Sequence, residues 1–324
     1  MSERRYYLDL GEGETRGVVT LEGRPERLII GRDGDPAAQA LGARLVARVR
    51  SIERALALAF LDLGDGPDAV LNLNGEVGPV SQGGWVEIEV RSQARSGKGG
   101  QARWLGPAEG PARLLAAGQS VEERLAELAR GGKIETGLAA RAMADAAQDE
   151  VFETVFAMPG GGSISVETTR ALTAVDIDVG DRPGSTSKRT TRAANLAALG
   201  EAARVLRLKG LGGLVVIDLA GRGHDAPALV SAARAAFGPD NPGVAFGPVS
   251  RFGTLELTIP RRARPTLDIL GGGAGAPTDM TCAMSLIRAL EREAQSDRGG
   301  RFEALAPPAV ARAAAPAVAG RTAR

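Results

Sequence analysis

An α/β protein that also carries a small β-barrel is the fold class this sequence predicts, on three observations. Between about residues 43 and 105, short apolar runs alternate with glycine-rich turns. At Ser120 the hydrophobic spacing changes from the two-residue period of strands to the longer period of helices. From Pro159 onward, strand-like and helical stretches alternate as far as Glu293.

Tyr6–Leu10, Gly17–Leu21 and Leu28–Gly31 read as an antiparallel meander. The next runs are Arg44–Val49, Leu56–Leu63, Ala69–Leu73, Trp85–Val90 and Ala102–Leu105, with turns at Gly64-Asp65-Gly66-Pro67 and Ser96-Gly97-Lys98-Gly99-Gly100. Five short strands with such turns suit a small closed barrel of the oligonucleotide-binding (OB) type. Ser120 and Glu123 form a capping box, opening a helix with Val121, Leu125 and Leu128 on one face. A second helix is expected over Leu138–Phe156. Pro159-Gly160-Gly161-Gly162 breaks the chain before a strand pair, Ser163–Glu167 and Leu172–Ile177. A helix over 192–209, a strand over Leu214–Leu219, a helix over Ala226–Phe237 and a strand over Thr254–Ile259 follow. Gly271-Gly272-Gly273 reads as a hinge, Met280–Glu293 as a last helix, and 297–324, rich in alanine, proline and arginine, as a flexible tail.

Composition narrows the chemistry. No apolar run approaches the roughly 20 residues that span a bilayer, and Asp9, Glu12 and Glu14 interrupt any signal-peptide core, so a cytoplasmic location with no membrane contact is expected. The single cysteine, Cys282, excludes an internal disulfide and any site needing two cysteine ligands. The single histidine, His224, excludes a paired-histidine nuclease and disfavours a catalytic triad. Carboxylates and a metal remain. Net charge is only +1, but basic residues gather at Lys188, Arg189 and Arg192, at Arg204, Arg207 and Lys209, and at Arg261, Arg262 and Arg264, which points to a polyanionic partner.

Asp176 and Asp178 fall on one face of a strand, because side chains repeat every two residues there. Asp218 closes the apolar run Val215-Val216-Ile217, at the strand end where α/β sheets bind ligands. The three can hold one hard cation and leave water positions open for phosphate oxygens, an arrangement suited to phosphodiester hydrolysis. The plainer alternative makes them turn aspartates and helix caps.

Several blocks resemble the catalytic segment of the ribonuclease E/G family: Pro159–Ile164, Ala171–Asp178, Asn195-Leu196, Ala203-Arg204, Leu206-Arg207-Leu208, Leu211–Asp218 and Ser250–Glu256, in the family's order and spacing. Ala59–Gly64 and Gly97-Lys98-Gly99 resemble the strand and basic loop of its S1 domain. The resemblance implies an α/β fold with an S1/OB-fold RNA-binding barrel at 35–107, inserted into a split ribonuclease H-like subdomain at 1–34 and 108–155. A DNase I-like catalytic subdomain at 156–270, a C-terminal helix at 271–296 and the tail at 297–324 complete the expected organisation.

By the same resemblance Asp176 and Asp218 are the catalytic, metal-binding aspartates, and Asp178 stands beside them where the family has asparagine. Phe60, Lys98, Lys188, Arg189, Arg192 and Arg251 are the implied RNA contacts, while a second S1 aromatic is replaced near Val70. The implied activity is that of a hydrolase: a Mg²⁺-dependent endoribonuclease, with Mn²⁺ as a possible substitute and no zinc. It would cut single-stranded RNA in ribosomal or messenger RNA processing through metal-activated water. The alternative is a non-catalytic RNA-binding relative; a third reading is a structural partner docking through the helix at 280–293. The family's zinc link, C-terminal small subdomain and 5′-end sensor are not recognisable, and no Arg-Thr pair occurs between 106 and 158 to supply the last. Assembly is open between a homodimer and an RNA-processing complex.

Overall fold

The structure is a computed structural model describing residues 3–75, 77–95, 97–180, 188–238, 243–272, 275–297 and 299–318. Three strands open the chain: β1 (Arg4–Gly11), β2 (Glu14–Leu21) and β3 (Arg24–Arg32). Six more follow: β4 (Arg44–Glu53), β5 (Leu58–Asp62), β6 (Ala69–Asn72), β7 (Trp85–Ser92), β8 (Gln101–Ala108) and β9 (Arg113–Ala116). Their order is β5-β6-β8-β7-β4-β9, and β4 also pairs with β5, so five strands close a barrel. Alternation fills it: Leu45, Ala47 and Val49 of β4, Ala59 and Leu61 of β5, and Val86, Ile88 and Val90 of β7 are buried inside. The barrel sheet extends beyond the expected limit of 107, because β9 pairs along β4 with Leu114 beside Leu45.

The capping box forms, with Ser120 Oγ accepting from the Glu123 N–H at 3.1 Å and Glu123 accepting from the Ser120 N–H at 2.8 Å. It opens α1 (Val121–Ala129), which buries Val121, Leu125 and Ala129. β10 (Ile134–Thr136) then runs parallel to β1, giving the order β10-β1-β2-β3. α2 (Leu138–Phe152) ends sooner than the expected Phe156. The residues beyond it become β11 (Val155–Ala157), drawn into pairing with β12 (Ser163–Thr168). The turn between them needs its glycines, since Gly160, Gly161 and Gly162 hold φ of 81°, 100° and 71°.

The second large sheet continues with β13 (Leu172–Asp178), α3 (Lys188–Leu208), β14 (Gly213–Asp218), α4 (Ala226–Phe237), β15 (Ala245–Val249) and β16 (Thr254–Ile259). Its order is β11-β12-β13-β14-β16-β15. β15 was not legible as a strand because Gly247-Pro248 interrupts it, and it occupies the sheet edge where proline is tolerated. One face carries Ile164, Val166, Val175, Ile177, Val215, Ile217, Leu255 and Leu257, packed with Leu199, Ala202 and Leu206 of α3 and Leu229 and Phe237 of α4. Burying each large aliphatic side chain there stabilises the fold by about 1.5–3 kcal/mol. The opposite face presents Asp176, Asp178, Leu214, Asp218, Glu256 and Thr258 as exposed residues.

Arg204, Arg207 and Lys209 correct the expectation of a basic, anion-facing group, because all three are buried. Arg204 donates to Glu150 and Glu201, Arg207 to Glu26, and Lys209 Nζ to the carbonyls of Val151 and Glu153 at 2.8 and 2.6 Å. Burial pushes the Lys209 ammonium down to about 8.

The chain closes with α5 (Thr266–Leu270), α6 (Asp279–Ser296) and α7 (Pro308–Val318). α7 corrects the expectation of a flexible tail, since Val310 and Ala314 are buried in one cluster with Ala283, Met284 and Ile287 of α6. The same contact covers the apolar face of α6, which removes the motive for reading that helix as a docking surface. Of the expected glycine hinge, Gly271 makes a bridge with Pro277 and Gly273 lies outside the described residues. The chain divides into two compact units, one of residues 1–4, 20–28 and 146–261, the other of 5–19, 29–145 and 262–324. Among the described residues no helix is long and apolar enough to cross a membrane.

Candidate carboxylate site at a sheet edge

The parallel register of β13 and β14 sets Leu172 beside Leu214, Thr173 beside Val215, Ala174 beside Val216 and Val175 beside Ile217. The next residue on each strand is an aspartate, so Asp176 and Asp218 stand side by side on strands about 4.8 Å apart. Both are exposed while the residue before each is buried, which places both on the face opposite the helices. Hydroxyls flank them, Ser165 of β12 opposite Asp176 and Thr254 of β16 opposite Asp218. Among the described residues neither carboxylate has a hydrogen-bond or ion-pair partner.

Asp178 lies two residues further along the same face, opposite Ser163. Its Oδ1 accepts from the Gly180 N–H at 2.9 Å, so part of its capacity closes its own turn. Among the described residues no three histidine, cysteine, aspartate or glutamate side chains converge to hold a metal ion. Asp176 and Asp218 thus stand side by side across the two strands, and Asp178 lies along the same face with one oxygen engaged by Gly180. Two hard oxygen donors facing solvent fit Mg²⁺, which takes one or two protein carboxylates and retains waters.

The segments around the pair are fastened to one another. Asn195 of α3 is buried, and its side chain donates to the Ala220 carbonyl at 3.1 Å and accepts from the Ala220 N–H at 3.0 Å, fixing the chain two residues beyond Asp218. Asp225 caps α4 through the Ala228 N–H and pairs with Arg192 at 3.2 Å. That expected phosphate contact is thus shared with a carboxylate, whereas Arg189 is exposed. Lys188 begins α3, but its side chain lies outside the described residues. His224 is half-buried and its Nε2 has no hydrogen-bond partner among the described residues.

The turn before β16 reaches the same edge. Ser250 Oγ accepts from the N–H groups of Phe252 and Thr254, and the Gly253 carbonyl accepts from the Leu219 N–H at 3.0 Å. Gly253 has φ 91°, and a side chain there would also press on His224 Nε2. The Arg251 guanidinium lies over the Phe252 ring, 4.6 Å from its centre, and Phe252 is 78% exposed. Phe252 lies within the Ser250–Glu256 block, where sequence alone assigns it no role. The signal available was an aromatic residue at a turn tip immediately before glycine.

In the barrel, Phe60 of β5 is half-buried and stands opposite Val70 of β6. Lys98 is exposed in a turn bridged back to Arg95, and the Val70 N–H donates to the Gly100 carbonyl just beyond it. Gly99 is required there, because a side chain would lie 2.1 Å from the Asp68 carbonyl oxygen. Phe60 and Lys98 are thus carried on segments that both adjoin Val70.

Residues 116–262 match the model of the ribonuclease E/G family. The chain is 32% identical over 174 residues to ribonuclease E of Haemophilus influenzae, covering 50% of this chain and 18% of that protein. Against ribonuclease E of Escherichia coli K12 the identity is again 32% over 174 residues, with 50% and 16% covered. The chloroplastic ribonuclease E/G-like protein of Arabidopsis thaliana is 27% identical over 139 residues, 41% of this chain and 14% of that protein. These alignments span less than a fifth of each relative's length. The segment that matches, residues 116–262, holds the six-stranded sheet and its aspartate pair, and it is similar to the ribonuclease E/G family.

Proposed function

We propose that this chain is an endoribonuclease that cuts single-stranded RNA at the Asp176–Asp218 edge. The observation that carries the reading is the register of β13 and β14, which sets two exposed, unpartnered carboxylates beside each other among the described residues. Asp176 and Asp218 would hold Mg²⁺ or Mn²⁺ through one oxygen-donor pair. Bound there, the ion supplies activation of water and neutralisation of the charge that develops on the phosphate.

The chain's own groups supply position and counter-charge. Arg189 and Arg251, both exposed near this edge, are suited to phosphate oxygens, Lys188 and Arg192 being the other basic residues at the start of α3. Asp178 sits on the same face, where its charge opposes an approaching phosphate. In the barrel, Phe60 offers a ring face and Lys98 a cation, the pairing by which OB-type barrels hold unpaired bases and backbone. A ribonuclease H-like role for the split segment at 1–34 and 108–155, and a part in ribosomal or messenger RNA processing in the cytoplasm as a homodimer or within a complex, belong to the same proposal.

One observation favours a second reading, an RNA-binding relative without catalysis: the third carboxylate is tied to Gly180 and no three-group cluster forms among the described residues. A labelled single-stranded RNA incubated with the chain and Mg²⁺, then with a chelator, separates the two. Cleavage abolished by the chelator is expected. Binding without cleavage under both conditions would establish the second reading instead.

A further inference from the structure

We propose that Phe252 is a stacking platform for an unpaired nucleobase next to the phosphate held at the aspartate pair. This rests on the RNA-cleaving reading above and adds to it a residue that positions substrate. A lone exposed apolar side chain is ordinary on a protein surface, so the argument lies in how this one is held. Phe252 is 78% exposed, whereas Phe156 and Phe237 of the same unit are 3% and 0% exposed.

The turn presenting it is pinned. The Phe252 and Thr254 N–H groups donate to Ser250 Oγ, the Gly253 N–H donates to the Ser250 carbonyl, and the Ser250 N–H donates to the Thr254 carbonyl at 2.8 Å. The Leu219 N–H, next to Asp218, donates to the Gly253 carbonyl at 3.0 Å. Arg251 covers one face of the ring, 4.6 Å from its centre, and the high exposure leaves the rest of the ring to solvent. An arginine on one face polarises and orients the ring, and the other face is free to accept a base.

Position completes the case. Thr254 stands opposite Asp218 in the sheet, and two residues of chain reach at most roughly 7 Å. That is a fitting offset for a base attached beside a phosphate at the carboxylates. Stacking is available only to a base that is not paired, so the platform selects single strands over duplex.

The test uses the full chain and short fluorescein-labelled single-stranded RNAs carrying one abasic residue at each position in turn, with binding and cleavage both followed. In the wild type, an abasic residue at one position beside the cut is expected to raise KM about tenfold, within the range for one lost base stack. Phe252→Ala should show the same loss on intact RNA and be indifferent to that abasic residue. Phe252→Trp should restore both properties, while Phe252→Leu, apolar but not flat, should not. Phe252→Ala cutting intact RNA as well as wild type removes the platform and leaves the nuclease standing. Phe252→Leu matching Phe252→Trp also overturns it, and so does a fall in kcat that keeps the abasic sensitivity, which would assign Phe252 to holding the turn. A wild-type chain that neither binds nor cuts these RNAs removes the parent reading, and this one with it.

Discussion

Two aspartates on strands, Asp9 of β1 and Asp218 of β14, show how differently one residue type is treated in this chain. Asp9 is 3% exposed; its Oδ1 accepts from Arg141 Nε at 3.0 Å, and its Oδ2 from Arg16 Nε and Nη2 at 3.0 and 2.6 Å. Arg16, fully buried, also meets Asp145 at 2.8 Å, and Glu14 nearby is held by Arg32 and Arg288. Asp218 is exposed and, among the described residues, has no counter-ion. Where the chain itself supplies arginine, a carboxylate becomes part of the scaffold. Where, among the described residues, it supplies none, the charge stays open to solvent.

The sharpest way to break this contrast is at Arg16. Arg16→Met should destabilise the fold by about 3–5 kcal/mol, because Asp9 and Asp145 lose a buried partner without losing their charge. Chemical denaturation measures it, and a change under about 1 kcal/mol would mean that the network is not closed as described. Asp218→Ala should do the reverse. Stability stays within about 0.5 kcal/mol, while RNA cleavage falls by about a hundred- to thousandfold, roughly 2.7–4 kcal/mol; undiminished cleavage would detach the aspartate pair from the chemistry.

Asn195→Ala tests whether the edge depends on its clamp. Loss of the paired bonds to Ala220 should cost about 1–3 kcal/mol of stability and lower cleavage by less than Asp218→Ala does; an unchanged unfolding midpoint argues that the loop is held otherwise. The smallest effect concerns pH. The Lys209 ammonium falls from its ordinary 10.5 to about 8, so between these values the folded state binds fewer protons than the unfolded one. Stability relative to Lys209→Met should therefore rise with pH through that window, by under about 1.4 kcal/mol per pH unit. A difference that is flat or falls across pH 8–10.5 would contradict the burial of a charged group there.

The contrast between Asp9 and Asp218 is also the limit of what the sequence discloses. Glycine turns and two-residue alternation made the barrel strands readable, and Ser120 with Glu123 announced α1, because these signals are local. β9, β10 and β11 are three or four residues long and exist only through a partner strand, so no local pattern marked them. Arg204, Arg207 and Lys209 looked like a surface for anions because composition cannot tell a solvated cation from one aimed at Glu201 or at a backbone carbonyl. Val310 and Ala314 sit in a low-complexity stretch whose packing depends on α6. Asp176 and Asp218 were identifiable singly from strand period and strand end. That they stand side by side rests on the register of β13 against β14, and the exposure of Phe252 is a property of the folded turn, which local pattern does not carry.

That register has a kinetic consequence. Within the six-stranded sheet, β13 and β14 are the parallel pair among the described strands, every other pairing being antiparallel. A parallel pair cannot close through a hairpin; it waits for a crossover, here α3, to dock. Contacts distant in sequence carry the loop-closure entropy that slows folding. The β12–β13 and β15–β16 hairpins can therefore form early in refolding without producing a functional edge, and recovery of the two-aspartate site should follow consolidation of α3 rather than the first appearance of strand signal.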